Sequence, residues 1–306
     1  MSNKTKIKIK MAILRMLILM IMLSVIGFAV FAILTAFKYG ELKYDEATSL
    51  SPTYFILTIV CLILIPITIC LFKTLYKNLF VVEVLAVELP GCYYSRHKGF
   101  GQGIIDANIG LVEPGNKYKS EDYLSGNYNG IHFEQADVII NNEVREEKAF
   151  SDEAEVKVYK HFRGRMIVMD SPVNVKKPIY LYSYEFEHRY KNQYVKLRTE
   201  EINDKVFGDV FDILVSEVGS AKRILDEKMK KALITTYNKF YNMAVRFEDK
   251  KMYIAINTKE DTFDWKVNRG MNFRKEVEAN RNQIYVIKDI IDILKGKDEK
   301  LETTAE

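Results

Sequence analysis

Two uncharged apolar runs near the N-terminus constrain this chain more than any other feature. Residues 16–37 read MLILMIMLSVIGFAVFAILTAF and residues 53–72 read TYFILTIVCLILIPITICLF. A helix of about 20 apolar residues crosses a hydrocarbon core of roughly 30 Å. Both runs meet that length, and both are apolar on every side, unlike the one-faced stripe of a soluble surface helix. The first run exceeds the apolar core of a cleaved leader and is followed by no A-x-A site. The pattern therefore predicts a two-helix transmembrane hairpin, with spans at 11–37 and 53–72 joined by an external loop, 38–52. Pro66 sits inside the second span, where a bend is tolerated.

Charge sets the expected orientation. Lys4, Lys6, Lys8 and Lys10 precede the first span, and Lys73 and Lys77 follow the second. The intervening loop balances its two lysines with Glu41, Asp45 and Glu46. Basic flanks stay in the cytoplasm, so both termini are expected there, in a multi-pass protein of a cell inner (plasma) membrane. The first 72 residues carry seven basic and three acidic side chains, which accounts for the whole formal net charge of +4. The remainder is neutral, which argues against a nucleic-acid partner, since such binding rests on neutralising phosphates. Cys61, Cys70 and Cys92 form no CxxC or Cys/His pattern. Neither a disulfide framework nor a structural zinc site is indicated, and an unpaired Cys92 suits a reducing compartment.

Beyond the spans, KTLYKNLFVVEVLAVEL predicts a juxtamembrane helix over 73–90. Residues 91–296 predict a cytoplasmic α+β domain with antiparallel strands and flanking helices. Asn129-Gly130, between extended runs, is the strongest hairpin signal. AEVKVYKHF, RMIVMD and KPIYLYS read as strands, the last two separated by SPVNVK. The pattern over 200–240 reads as helical throughout. MAVRFEDKKMYIAIN reads as a hairpin turning at Asp249-Lys250. RKEVEANRNQIYVIKDIIDILKG ends in a helix with Ile284, Ile287, Ile291 and Leu294 on one face. The polar tail 297–306 reads as disordered. Strands followed by helices, without regular alternation, fit α+β better than a doubly wound sheet.

Four ordered stretches carry a resemblance: KYKSEDYLSGNYNGIHFEQADVII (117–140), VYKHFRGRMIVM (158–169), SYEFEHRYKNQYVKL (183–197) and VRFEDKKMYIAIN (245–257). With the two preceding spans, they make the chain similar, over about residues 10–263, to a bacterial family of two-span inner-membrane proteins with a cytoplasmic domain of unknown function. That resemblance implies architecture and location, and no reaction or catalytic residue. Here KAFSDEAEVKVYKHF is a shorter lead into FRGR than the family pattern implies, which affects the strand pairing expected over 145–160.

The candidate sites each have a bland reading beside the functional one. KGFGQG (98–103) has G-x-G-x-G spacing, where a dinucleotide site needs G-x-G-x-x-G and a longer helix; a turn before a short helix closed by Gly110 fits it better. Lys157, Lys160, His161, Arg163 and Arg165 surround Gly164, either as a solvated strand–turn–strand or as an anion site. Lys160, Arg163 and Arg165 are its candidate lipid or anion contacts, since basic groups near an anionic leaflet contribute about 1 kcal/mol each. Glu185, Glu187 and His188 offer acid–base or metal-binding side chains, but strand alternation would point His188 away from the carboxylates. No catalytic residue, cofactor or metal ligand is assigned. The expected role is a membrane-anchored, non-enzymatic domain that binds a protein partner or lipid headgroups. A hydrolase acting at the membrane is the alternative, and a transport component the weaker third. The expected partners are the bilayer and a protein partner or second copy.

Overall fold

The computed structural model describes residues 3–41, 51–147, 154–190, 196–264 and 273–296. The expected loop around 42–50 and the tail from 297 lie outside them. The chain forms two compact units, one of Met1–Val84 with Asp264–Asn280, the other of Leu85–Phe263 with Arg281–Glu306.

The first unit contains α1 (Asn3–Glu41) and α2 (Ser51–Tyr76). Within α1, the stretch Ala12–Val30, with mean hydropathy 2.6, is long and apolar enough to cross a membrane, and almost none of it is buried. It is the one such stretch among the described residues. The second apolar run lies in α2, which continues through Pro66. Leu14 of α1 packs with Phe72, Tyr76 and Phe80, where Tyr76 and Phe80 stack at 5.4 Å. Tyr76 also donates to Glu276, and Asn280 donates to the Tyr76 hydroxyl at 3.0 Å. A five-residue π-helical turn, Lys77–Val81, leads into α3 (Val82–Glu88).

The second unit is built on one seven-stranded sheet. Its strands are β1 (Tyr93–Ser95), β2 (Lys117–Tyr128), β3 (Ile131–Glu147), β4 (Ala154–Ser183), β5 (Arg198–Thr199), β6 (Phe211–Val215) and β7 (Met243–Ile256). The order is β1-β2-β3-β4-β6-β5, with β7 also on β4, and every pairing is antiparallel. The helices are α4 (Lys205–Gly208), α5 (Ser220–Ile224), α6 (Glu227–Phe240) and α7 (Phe273–Leu294), the last shared between the two units. This is the α+β class, an antiparallel sheet with flanking helices.

The β2–β3 turn is the Asn129-Gly130 hairpin expected from sequence. Both residues have positive φ (49° and 78°), the geometry that matches the twist of the flanking strands. Several expectations are corrected. RMIVMD and KPIYLYS belong to one strand, β4, in which SPVNV makes a bulge where the register slips between Asp170 and Val175. The opposing Asp249-Lys250 pair is no hairpin turn: β7 runs straight through it, and Asp249 at φ 52° absorbs the irregularity. FDILV, read as helical, is β6, with Phe211, Ile213 and Val215 buried on one face in the period of two that a strand requires.

The β4 segments 161–169 and 179–183 and the two ends of β7, 243–247 and 252–256, are largely buried on both faces. One face carries Val138, Ile140, Phe162, Met166, Tyr180, Tyr182 and Ala255, covered by Phe100, Ile105, Leu111 and Phe186. Residues of the other parity, such as Ile167, Met169, Leu181 and Val245, are buried too. In α7, Ile284, Ile287 and Ile291 are buried as the helical period predicted.

FRGR, expected as a turn, lies inside β4, with Gly164 paired to Val138, and Gly164 sits where a side chain has no room. A Cβ there would overlap the Ile256 carbonyl oxygen and stand 2.8 Å from the Thr258 nitrogen, both backbone atoms. Gly164→Ala is therefore expected to cost about 1–3 kcal/mol by overpacking, read as an earlier denaturant midpoint for the full chain in detergent. An unchanged midpoint would show that β4 and β7 do not approach this closely.

Candidate functional site

The basic residues singled out around Gly164 do not share one environment. Lys160 is exposed. Arg163 is part-exposed and forms an ion pair with Asp261 at 2.8 Å. Arg165 is buried. Its Nη1 donates to the Gln283 carbonyl at 2.6 Å, its Nη2 to the Gln283 side chain, and its Nε and Nη2 approach Thr262 Oγ1 at 3.4 and 3.3 Å.

Arg165 is the cation of a buried polar network. Asp122 and Asp137 are both buried, and the Thr262 N–H donates to Asp137. Tyr94 donates to Asp122 Oδ1 at 2.6 Å. Burial pushes the Asp137 carboxyl up to about 7, against the opposing pull of Arg165 and Thr262. Burial also lowers Arg165 to about 10, against Asp137 and Asp122. Burial and the Asp122 charge raise the Tyr94 hydroxyl, so it stays a donor. Asp122 sits at φ 57° in the β-bulge where β2 slips between Glu121 and Leu124, which turns its side chain inward.

The SYEFEHRY carboxylates and histidine separate, but not by strand alternation: β4 ends at Ser183, and residues 184–188 form a turn and bend. Glu185 accepts from Tyr237 at 2.9 Å, and Glu187 is exposed. His188 turns instead toward residues far away in sequence. It stacks on His161 with ring centroids 4.4 Å apart and planes 13° from parallel, and its Nδ1 lies 3.3 Å from Glu113 Oε2. Sequence reasoning named both histidines but missed Glu113, which precedes Pro114 in an unremarkable loop. Two backbone contacts hold that loop in place: Glu113 N–H donates to the His188 carbonyl at 2.7 Å, and Tyr190 N–H to the Leu111 carbonyl at 3.1 Å.

KGFGQG is a turn before a short helix, as read. Gly99 passes so close to Ser120 of β2 that a Cβ would collide with it. The Phe100 N–H donates to Ser120 Oγ at 2.9 Å, which fastens the turn to the sheet. The helix that follows, Ile104–Ile109, is a single π-helical segment, ended by Gly110 in the left-handed region at φ 49°. Elsewhere, Tyr184, Glu200, Glu201, Asp204, Lys205 and Asp212 help to line a polar hollow of about 330 Å³.

Among solved structures, the chain is similar to the crystal structure of the mycobacterial trehalose monomycolate transport factor A, TtfA, with 11% identity and a TM-score of 0.35 over 71% of this chain and 93% of that one. No curated protein matches it. The matched family region includes α7, which the sequence resemblance left outside, and begins only at β4: residues 154–295 match the model of an uncharacterised family, described as a protein of unknown function (DUF3137).

Proposed function

We propose that this chain is a membrane-anchored binding module whose α+β domain engages a protein partner at the cytoplasmic face of a bacterial inner membrane. The observation that carries the anchor is the Ala12–Val30 stretch, apolar all round, almost none of it buried and most of it exposed. Exposed surface of that kind is what lipid covers. Ile63, Ile67, Ile69 and Leu71 of α2 are exposed in the same way, which supports the two-span hairpin. The lysine-rich N-terminal flank supports cytoplasmic termini.

The partner reading rests on an arm of the sheet. Residues 142–147 of β3 and 154–160 of β4 pair with each other and with no third strand among the described residues. Val144, Val156, Val158 and Tyr159 are exposed on this arm. An unpaired edge with apolar side chains fits an added strand of another protein. Charge does not favour an anionic surface here: Lys157 pairs with Glu146, and Glu143 and Glu155 are close by in sequence. Headgroup contact would fall to Lys160 and Arg163, Arg165 being buried.

The anchor is tested by an alkaline wash of membranes containing the full chain. Retention in the pellet is expected, and release into the supernatant would remove the reading. A photo-crosslinking residue at Val158 should give one discrete larger adduct that V156K abolishes. If instead K160E/R163E abolishes binding to anionic vesicles and no adduct forms, the face belongs to headgroups.

A further inference from the structure

We propose that Glu113, His161 and His188 form a site for one divalent transition-metal cation of the zinc class. The inference stands independently of the anchor and partner reading.

The three side chains offer ligand atoms that all lie within 4.8 Å of one another. Two ligands bound at 2.0–2.1 Å across a tetrahedral angle stand about 3.4 Å apart. The His188–Glu113 separation of 3.3 Å already has that value. Rings 13° from parallel direct their in-plane lone pairs side by side, so closing the site requires the half-exposed His188 ring to turn off the stack as the exposed Glu113 carboxylate swings in.

Backbone irregularities bring both imidazoles beside Glu113. In the β3–β4 ladder, Ile140 opposes Phe162 while Asn141 opposes Lys160. His161 is thus the extra residue of a β-bulge, a device that re-aims a side chain and concentrates beside functional sites. His188 holds φ 50°, a conformation uncommon outside glycine and one that tends to be retained where function requires it. A simple surface ion pair needs neither distortion. His132 and Glu134 make such a pair at 3.5 Å, and among the described residues no third ligand gathers with them as it does at His188.

The hydrogen bonding also suits a ligand set. His161 Nδ1 lies 3.2 Å from the Glu113 carbonyl oxygen. Donation there fixes the tautomer and leaves the Nε2 lone pair for a cation, the arrangement metal-bound histidines commonly have. Arg189, next in sequence to His188, does not oppose a cation, because it is paired with Asp212 at 2.6 Å. Two imidazoles and one carboxylate favour zinc and its first-row neighbours over magnesium or calcium, which prefer all-oxygen shells. Three protein ligands leave a coordination position open. His161 is buried and Glu113 half-exposed, so that position is reached from solvent, by water or by a donor group of a bound molecule.

The test titrates the full chain in detergent, stripped by a chelator, with Zn²⁺ by calorimetry and with Co²⁺ by visible absorption. One saturable ion per chain is expected, with the Co²⁺ spectrum of a four- or five-coordinate site. H188A and E113Q should each weaken binding by about tenfold or more, since even outer-shell losses cost 10–100-fold. Both act at the exposed rim, and circular dichroism verifies that they fold. H132A should bind as the parent does. Absence of saturable binding at micromolar metal overturns the proposal. So does binding that survives in folded H188A and E113Q.

Discussion

Replacing Arg165 by Met is expected to destabilise the sheet domain by about 3–5 kcal/mol, the usual cost of removing one partner from a buried charge cluster. Met roughly fills the space, so the loss is electrostatic rather than a cavity. The guanidinium is enclosed, and its donors are spent on the Gln283 carbonyl, the Gln283 side chain and Thr262. It lies between the C-terminal helix and two buried carboxylates, Asp122 and Asp137. Without it, the acceptors on Gln283 lose their donors and Asp137 loses its counter-charge. Lys in its place cannot reproduce the fork, since one ammonium does not span Thr262 and both Gln283 oxygens. A guanidinium titration of the full chain in detergent, followed by far-ultraviolet circular dichroism at neutral pH, reads the effect as a lower midpoint. R165M/D137N should recover part of the loss, because it removes the stranded carboxylate as well as the cation. If R165M alone shifts the midpoint negligibly, Arg165 is no part of what holds the helix to the sheet.

This network shows what the sequence made legible and what it hid. The apolar stretch Ala12–Val30, the Asn129-Gly130 turn and the Ile284–Ile287–Ile291 face follow from local rules, and the fold obeys them. Charge alone groups Arg165 with Lys160 and Arg163. Yet Arg165 opens the run RMIVM, and a cation leading an apolar strand is placed by that strand. The bulge at His161 brings Lys160 and Arg163 to the face of Arg165, opposite Asn141, Ile139 and Asp137, and it is depth along the strand, from exposed Lys160 to buried Arg165, that separates them. Asp249-Lys250 and SPVNV carry turn chemistry, but in the fold they face each other as matched irregularities of β7 and β4. A single sequence lists both and cannot pair them. The same holds for Glu113 and His188, which are 75 positions apart and joined by a single antiparallel bridge at Val112 and Arg189. No spacing rule reaches across that interval.

Asp137 should make the stability of this domain fall as pH rises from about 4 to about 7. The direction follows from where the proton sits. Burial raises the folded-state carboxyl to about 7, while an unfolded aspartate ionises near 3.9. Between those values the folded chain holds a proton that the unfolded chain has lost, so each unit of pH weakens folding by up to about 1.4 kcal/mol. The contribution is fully present below the ordinary carboxylate range and is gone once pH has passed the folded value. Over the whole window it amounts to something on the order of 4 kcal/mol. Asp170 works in the opposite sense: its hydrogen bond to Lys251 lowers its carboxyl, so its contribution fades only at more acidic pH. The difference between parent and D137N isolates the aspartate from every other group. Asn at 137 keeps an acceptor for the Thr262 N–H and removes the titration. Denaturation of both chains at intervals from pH 4 to pH 8 is therefore expected to give a parent curve that declines relative to a flatter D137N curve. Parallel curves would mean that Asp137 is ionised throughout, and that Arg165 compensates its burial in full.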